Sequence, residues 1–463
     1  MNDLVARFRS FAAQARAAAP APLLPSAPPR PRLPDGWDLA PAPRGSIPVR
    51  EEVLPFTGAA ALAGPWPDRL AGQALGPAAG WRFLDLETTG LGAGAGTRAF
   101  LVGLGRLGPQ GLTVRQYLLA DLDREEAFLA AALDDLAQAT AVVTFNGKSF
   151  DWPLLRDRCL LASAGGLPAV PHWDVLHAAR RLFGPGLSGG CDLRRLEAEV
   201  LRAPRGPDVQ GADIPALYGV WLDGDHSALD GVVAHHREDI RALAGVAAAL
   251  AEALTRGPET GAAPPLLWGL GRTYEHLGVT QAAVTCYLAS RRAGMRQAGG
   301  AAARLLKRAG RPAEAVALWE QERRGPVPSL EAVEELAKDL EHRQHAPERA
   351  LQVVLQAVPL AAAAGAARQE ALRHRLNRLQ RKVASRTEAV RGVAGTKGER
   401  QRGGDDDRVG STDGFGGNDG HGARATQQPG TLGPGVRRGV GVRVHPVSHP
   451  AGGCVDRPGD GAL

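Results

Sequence analysis

Four carboxylates in three separated blocks stand out from this chain. Asp85 and Glu87 lie in Phe83-Leu84-Asp85-Leu86-Glu87-Thr88-Thr89-Gly90, Asp151 closes Asn146-Gly147-Lys148-Ser149-Phe150-Asp151, and Asp239 closes His235-His236-Arg237-Glu238-Asp239. Paired carboxylates repel unless a cation sits between them, and hard oxygen ligands of this kind suit Mg²⁺ or Mn²⁺. A fold that gathered the three blocks would make a site for two such ions, which is machinery for hydrolysing phosphodiester bonds.

The elements that must position these groups can be read from the residues around them. Alternate residues of a strand share a face, so Asp85 and Glu87 project together with Phe83, and Leu84 and Leu86 pack into the opposite layer. Apolar neighbours on both sides argue for a central strand rather than a wet edge, where two ordinary acids would need no partner. The second block follows a short apolar strand, Ala141-Val142-Val143-Thr144-Phe145-Asn146, and precedes Trp152-Pro153. Pro153 fits the first turn of a helix, which places Asp151 at that helix's N-terminus, as an N-cap, a metal ligand or both. In the third block, Leu229 to Leu254 has a long helical pattern with Val233, Ile240, Leu243 and Leu250 on its apolar face. His235 and Asp239, four apart, share one side of that helix. Alone they read as an ordinary solvated pair; next to a metal site, a histidine has the pKa of a general base.

The order Asp-x-Glu, Asn-x-x-x-Phe-Asp, His-x-x-x-Asp resembles the three motifs of the DEDD exonuclease superfamily, which carries a ribonuclease-H-like fold. Gly96-Thr97-Arg98-Ala99-Phe100-Leu101-Val102-Gly103, Thr144 to Pro153, His177-Ala178-Ala179-Arg180-Arg181-Leu182 and Ile214-Pro215-Ala216-Leu217-Tyr218 are similar to the bacterial YprB-type family, which includes a mitomycin-repair exonuclease. The resemblance spans about residues 80 to 255. It implies 3′ to 5′ exonuclease activity, on DNA rather than RNA, linked to DNA repair and with a helicase or other protein partner. Asp85, Glu87, Asp151 and Asp239 are then the ligands of two Mg²⁺ or Mn²⁺ ions and His235 the base. Superfamily members with a catalytic histidine commonly place it five residues before the last aspartate. Here Ala234 holds that place, His235 takes the four-before position where other members carry tyrosine, and His236 is adjacent, so the choice between the two histidines stays open. The rival readings are a catalytically inactive scaffold that recruits partners and an RNA-directed exoribonuclease.

Composition agrees with this reading without requiring it. The 463 residues have room for two or three domains, and the net charge of +6 leans mildly toward a polyanionic partner. Cys159, Cys191, Cys286 and Cys454 are scattered, which supports neither a zinc site nor a disulfide framework and suits a reducing cytoplasm. The charged start lacks a signal-peptide core, and no apolar run is long enough to span a bilayer. Gly90-Leu91-Gly92-Ala93-Gly94-Ala95 is followed by a strand, so it offers no helix N-terminus to a dinucleotide, and Gly147-Lys148-Ser149 lacks the upstream glycine of a P-loop.

The expected architecture is α/β: a ribonuclease-H-like mixed sheet flanked by helices, then an α-helical, tetratricopeptide-like repeat region. Residues 1–48 read as a flexible arm, with an amphipathic helix over the first 18 and a Pro-Ala-rich remainder; 49–80 lead into the domain at 81–255. Strands are expected over Phe83–Thr88, Ala99–Leu107 and Leu112–Ala120, a helix over Glu125–Ala137 and a further strand from Ala141. Over 264–385, Leu267, Leu270, Gly271, Tyr274, Gly278, Ala283 and Tyr287 have the spacing of a tetratricopeptide hairpin, echoed by Gly310, Ala315 and Trp319 and more weakly by Ala350 and Val354. Residues 386–463 are rich in Gly, Arg and Asp and are expected to be disordered.

Overall fold

The computed structural model describes residues 32–400, apart from 34, 43–44, 91–95, 260, 326–327 and 362–364. The expected helix at 1–18, most of the glycine-rich turn at 90–95, and the tail beyond 400 with Cys454 lie outside the described residues. The described residues through Val393 belong to one compact unit; a second begins at Ala394, and of it only 394–400 are described.

A seven-stranded mixed sheet forms the centre, in the order β1-β2-β5-β4-β3-β6-β7. Its strands are β1 (Asp38–Ala42), β2 (Gly45–Leu54), β3 (Trp81–Thr88), β4 (Ala99–Gly108), β5 (Gly111–Leu118), β6 (Ala141–Thr144) and β7 (His172–Asp174). β1 to β5 pair antiparallel, and β6 and β7 extend the sheet in parallel from β3. The sheet thus contains the strands expected at 83, 99, 112 and 141. It also contains β1 and β2, where an arm without fold of its own was expected up to residue 48. The arm gains its fold from distant partners: β2 pairs with β5, far along the chain, and Ile47 and Val49 are buried in the core cluster that contains Leu118 and Phe128.

Short helices α1 (Ala59–Leu62) and α2 (Trp66–Ala71) precede β3. α3 (Glu125–Leu136), α4 (Asp151–Leu161), α5 (Leu176–Leu182), α6 (Leu193–Glu199), α7 (Ile214–Leu222) and α8 (Asp230–Arg256) follow. α3, α4 and α7 cover one face of the sheet, where Leu84, Leu86 and Val102 pack against Phe128, Leu155 and Trp221. α8 crosses the other face, and its Ile240, Leu243 and Ala244 join Phe83 and Val143. The approach is close: a Cβ on Gly103 would lie 2.2 Å from Ile240 Cδ1 and 2.5 Å from His236 Cε1, and one on Gly105 2.7 Å from Ile240 Cγ2. Only glycine at those two positions of β4 lets α8 settle so low on the sheet.

Beyond α8 the elements among the described residues are helices: α9 (Pro264–His276), α10 (Thr280–Arg292), α11 (Gln297–Arg308), α12 (Pro312–Arg324), α13 (Leu330–His342), α14 (Pro347–Ala361) and α15 (Ala366–Arg400). The helices from α9 to α14 pack pairwise and stack in turn. Gly278, Gly310 and His345 occupy equivalent left-handed turns, and Ala283, Ala315 and Ala350 are fully buried between the helices. The part of the expected disordered segment from 386 to 400 continues α15. No helix among the described residues is long and apolar enough to cross a membrane.

Candidate active site

β3 carries Asp85 and Glu87 on the face that α8 covers, directly below Asp239 and His235. Asp85 stands opposite Gly103 in the β3–β4 pairing, and a register shift after Glu87 ends the regular ladder there. All four acids are brought within mutual electrostatic reach. Burial, and then the charges of Asp239, Asp151 and Glu87, hold the Asp85 carboxyl well above its usual range. Burial likewise pushes Glu87 up to about 8, with Asp239 and Asp151 adding to the shift and His235 opposing it. Asp151 is raised to about 7 by burial, with Asp174 contributing. Asp239 is the exception. Burial works against its charge, but the His235 hydrogen bond and the Arg205 guanidinium win and hold it below the ordinary value.

The two adjacent histidines are clearly distinguished. The Nδ1–H of His235 donates to both oxygens of Asp208, at 2.8 and 2.9 Å, and its Nε2 lies 3.3 Å from Asp239 Oδ2 and 4.0 Å from Glu87 Oε1. Burial opposes its proton, but Asp239 and Asp208 raise it to about 9. It borders a cleft of about 600 Å³ lined also by Pro207, Asp208 and Arg237. His236 is fully buried. Its Nδ1 accepts from the Gln116 amide at 3.0 Å and its Nε2–H donates to the Asp85 carbonyl at 3.1 Å, so both ring nitrogens are used and burial holds it near 4. His236 therefore fixes the backbone beneath Asp85.

Asp151 opens α4, as the Trp152-Pro153 pattern implied. The turn before it is held by a residue that sequence reasoning missed. Asp174, at the end of β7, accepts from the backbone N–H groups of Asn146 (2.9 Å), Lys148 (3.2 Å) and Leu176 (3.1 Å). Asn146 can sit at φ 67° because that side of the turn is pinned. The side chain of Arg158 forks onto Glu125 with bonds of 2.7 and 2.5 Å, both groups buried, and ties α4 to α3. Arg205, also missed, reaches Asp239 and Glu197 from the loop after α6, and Glu197 is shared with Arg241. Asp174, Arg205 and Asp208 lie at a strand end or in a loop, where no periodicity marks a side chain's direction.

A metal fits this donor set. One oxygen each from Glu87 and Asp239 and a ring nitrogen of His235 all lie within 4.8 Å of one another, and Asp85 and Asp151 stand close enough for each to feel the others' charge. Carboxyls held above their ordinary range by burial and by neighbouring carboxylates are relieved by a divalent charge among them.

Residues 82–251, which contain every group described above, match the RNase_H superfamily. The chain is also 31% identical over 312 residues to the uncharacterized protein YprB of Bacillus subtilis (strain 168), an alignment that covers 65% of this chain and 75% of that relative. A mixed sheet with acids on its central strand, a covering helix that supplies the last acid, and this similarity agree: the chain belongs to the RNase H superfamily, in the same family as YprB.

Proposed function

We propose that the protein is a metal-dependent 3′ to 5′ exonuclease of the DEDD type, acting on DNA and serving DNA repair. The observation that carries the reading is the crowding of Asp85, Glu87, Asp151 and Asp239 around one point beside a histidine. Asp85, Glu87, Asp151 and Asp239 would hold two Mg²⁺ or Mn²⁺ ions. Bound there, the ions supply Lewis-acid polarisation of the phosphoryl group and charge to balance the leaving 3′ oxygen.

The protein's own groups do the rest. His235 takes the proton of the attacking water at Nε2, and Asp208 holds the ring so that this nitrogen faces Glu87 and Asp239. With Glu87 and Asp239 neutralised, His235 loses the part of the attraction that they supply and keeps only that of Asp208, which frees Nε2 to act as a base. His236 and Gln116 hold the strand under Asp85, and Asp174 holds the turn that aims Asp151. The stacked helices from α9 to α14 offer a tetratricopeptide-like surface for a helicase or other protein partner. The free thiols of Cys159, Cys191 and Cys286 suit a cytoplasmic setting.

The test is digestion of end-labelled single- and double-stranded DNA and RNA by the purified protein in Mg²⁺, Mn²⁺ or EDTA. Stepwise loss of nucleotides from the 3′ end of DNA is expected with either ion and none in EDTA. Asp85→Asn and Asp239→Asn should each lower the rate by at least about 10³-fold without unfolding the chain. Wild-type rates in those variants would refute the site, preferred digestion of RNA would turn the assignment to an exoribonuclease, and no digestion by the wild type would favour an inactive scaffold.

A further inference from the structure

The sequence block that ends in Arg180-Arg181-Leu182 has no role in the site above, yet it closes α5 where that helix meets α9. The two backbones nearly touch: a Cβ on Gly269 would lie 1.8 Å from the carbonyl oxygen of Leu182. Gly269, Arg272 and His276 share one face of α9 by their helical spacing, and Arg181 immediately precedes Leu182. The crossing therefore gathers Arg181, Arg272 and His276 at one junction.

The cluster is unusual because nothing answers it. Among the described residues, none of the three has an ion pair or a hydrogen-bond partner. The neighbouring hairpins differ: Arg291 pairs with Glu322, Arg304 with Glu331, Arg308 with Glu275 and Arg323 with Glu320. The α5 dipole accounts for a cation at Arg181, in the last turn, but not for Arg272, which precedes the last turn of its own helix. Burial and the Arg272 guanidinium both work against the charge on Arg181, and burial and then Arg181 disfavour a proton on His276. Cations that oppose one another without a counter-charge make a ready place for an anion.

The position narrows the anion. α5 begins at Leu176, whose N–H donates to Asp174, the residue that pins the turn before Asp151. Arg181 lies roughly 7.5 Å along the helix from that point. An anion that reaches both the candidate active site and this junction is a phosphodiester chain. We propose that Arg181, Arg272 and His276 hold backbone phosphates of the nucleic-acid strand whose end lies among Asp85, Glu87, Asp151 and Asp239. This assignment rests on the nuclease reading for its direction, but it is a binding site in its own right.

The test is binding by the full chain in EDTA, followed by fluorescence anisotropy with labelled single-stranded DNA and RNA of one sequence over a range of salt. Each phosphate contact on a single strand contributes about −0.7 to the slope of log K against log salt. R181A/R272A should flatten that slope by roughly 1.4 and weaken binding at least about tenfold at low salt. R181K/R272K, which keeps the charges, should retain the wild-type slope, and comparison of the DNA and RNA arms shows which strand the junction prefers. An unchanged slope in R181A/R272A overturns the site, as does an equal loss in both variants, which would assign the effect to packing. Digestion of the strand by wild type with an unchanged slope in R181A/R272A overturns this site alone. Binding through the junction with no digestion in Mg²⁺ overturns the nuclease reading and leaves the phosphate site standing.

Discussion

Two neighbouring histidines on α8 have opposite fates because the helix turns one toward a cleft and the other into the sheet. His235 meets three carboxylates and is stabilised as a cation; His236 meets an amide and a carbonyl and is stabilised as a neutral ring. The signs of these shifts lead to a pH prediction for the metal-free protein. His235, raised to about 9, contributes stability that is complete below its unfolded value near 6.5 and is lost as pH rises through 9. Glu87 and Asp151, raised to about 8 and about 7, favour the protonated folded form, so their contribution also falls as pH rises from their ordinary range to 7–8. Asp239 is depressed and acts oppositely, but only in acid below its ordinary value of 3.8. His236, lowered to about 4 by burial, also opposes the falling trend up to about pH 6.5. Metal-free protein should therefore melt at progressively lower temperature from about pH 6.5 to pH 9, and millimolar Mn²⁺ or Mg²⁺ should raise the melting temperature more at pH 8 than at pH 6. Equal gains at both pH values, followed by differential scanning fluorimetry, would count against a metal at these carboxylates. Asp85, Glu87, Asp239 and His235 were legible in the sequence because a period of two on a strand and of 3.6 on a helix fixes which side chains share a face. Asp174, Arg205 and Asp208 were not, since a loop residue's direction depends on where distant elements place it.

At the scale of elements, the site exists because α8 lies low across β4. Gly103 and Gly105 provide that clearance, and Asp239 and His236 reach β3 only at this depth. Gly103→Ala should drive Ile240 and the His236 ring away from the sheet, cost about 1–3 kcal/mol in urea unfolding and weaken Mn²⁺ binding by calorimetry. Gly108→Ala in the same strand has its nearest neighbour at 3.9 Å and should change neither, so similar losses in both variants would show a general intolerance of alanine in β4 rather than a helix seat. The same close packing explains what the sequence revealed of the fold. β3, β4, β5, α3, β6 and α8 could be read because each carries its own apolar period. β1 and β2 carry Pro41 and Pro48 in a hairpin at the sheet edge, and their few apolar residues gain a core from distant partners. β7 has three residues, too few for any period, although its Asp174 organises the turn before Asp151.

For the whole molecule, the important question is whether the helical array is an appendage or part of the domain. One apolar cluster runs from Trp81 and Phe83 on the sheet through Leu243, Leu250 and Leu254 of α8 to Leu270 and Tyr274 of α9, then on to Tyr287, Trp319 and Leu336. Tyr274 closes the seam: its ring meets Trp66 edge-on at 5.5 Å and its hydroxyl donates to the Leu254 carbonyl. A chain shortened to end at Gly257 would uncover Trp66, Leu182 and Leu254 together. At about 1.5–3 kcal/mol for each large apolar side chain exposed, the loss is several kcal/mol against a total of roughly 5–15. The shortened chain should therefore melt about 10 °C or more below the full chain, or aggregate, whereas the full chain should show one calorimetric transition. If the shortened chain melted within a few degrees of the full one, the α5–α9 seam would contribute little stability. Arg181 and Arg272 would then belong to separately moving parts, and a strand held across that junction would have no fixed path to Asp151.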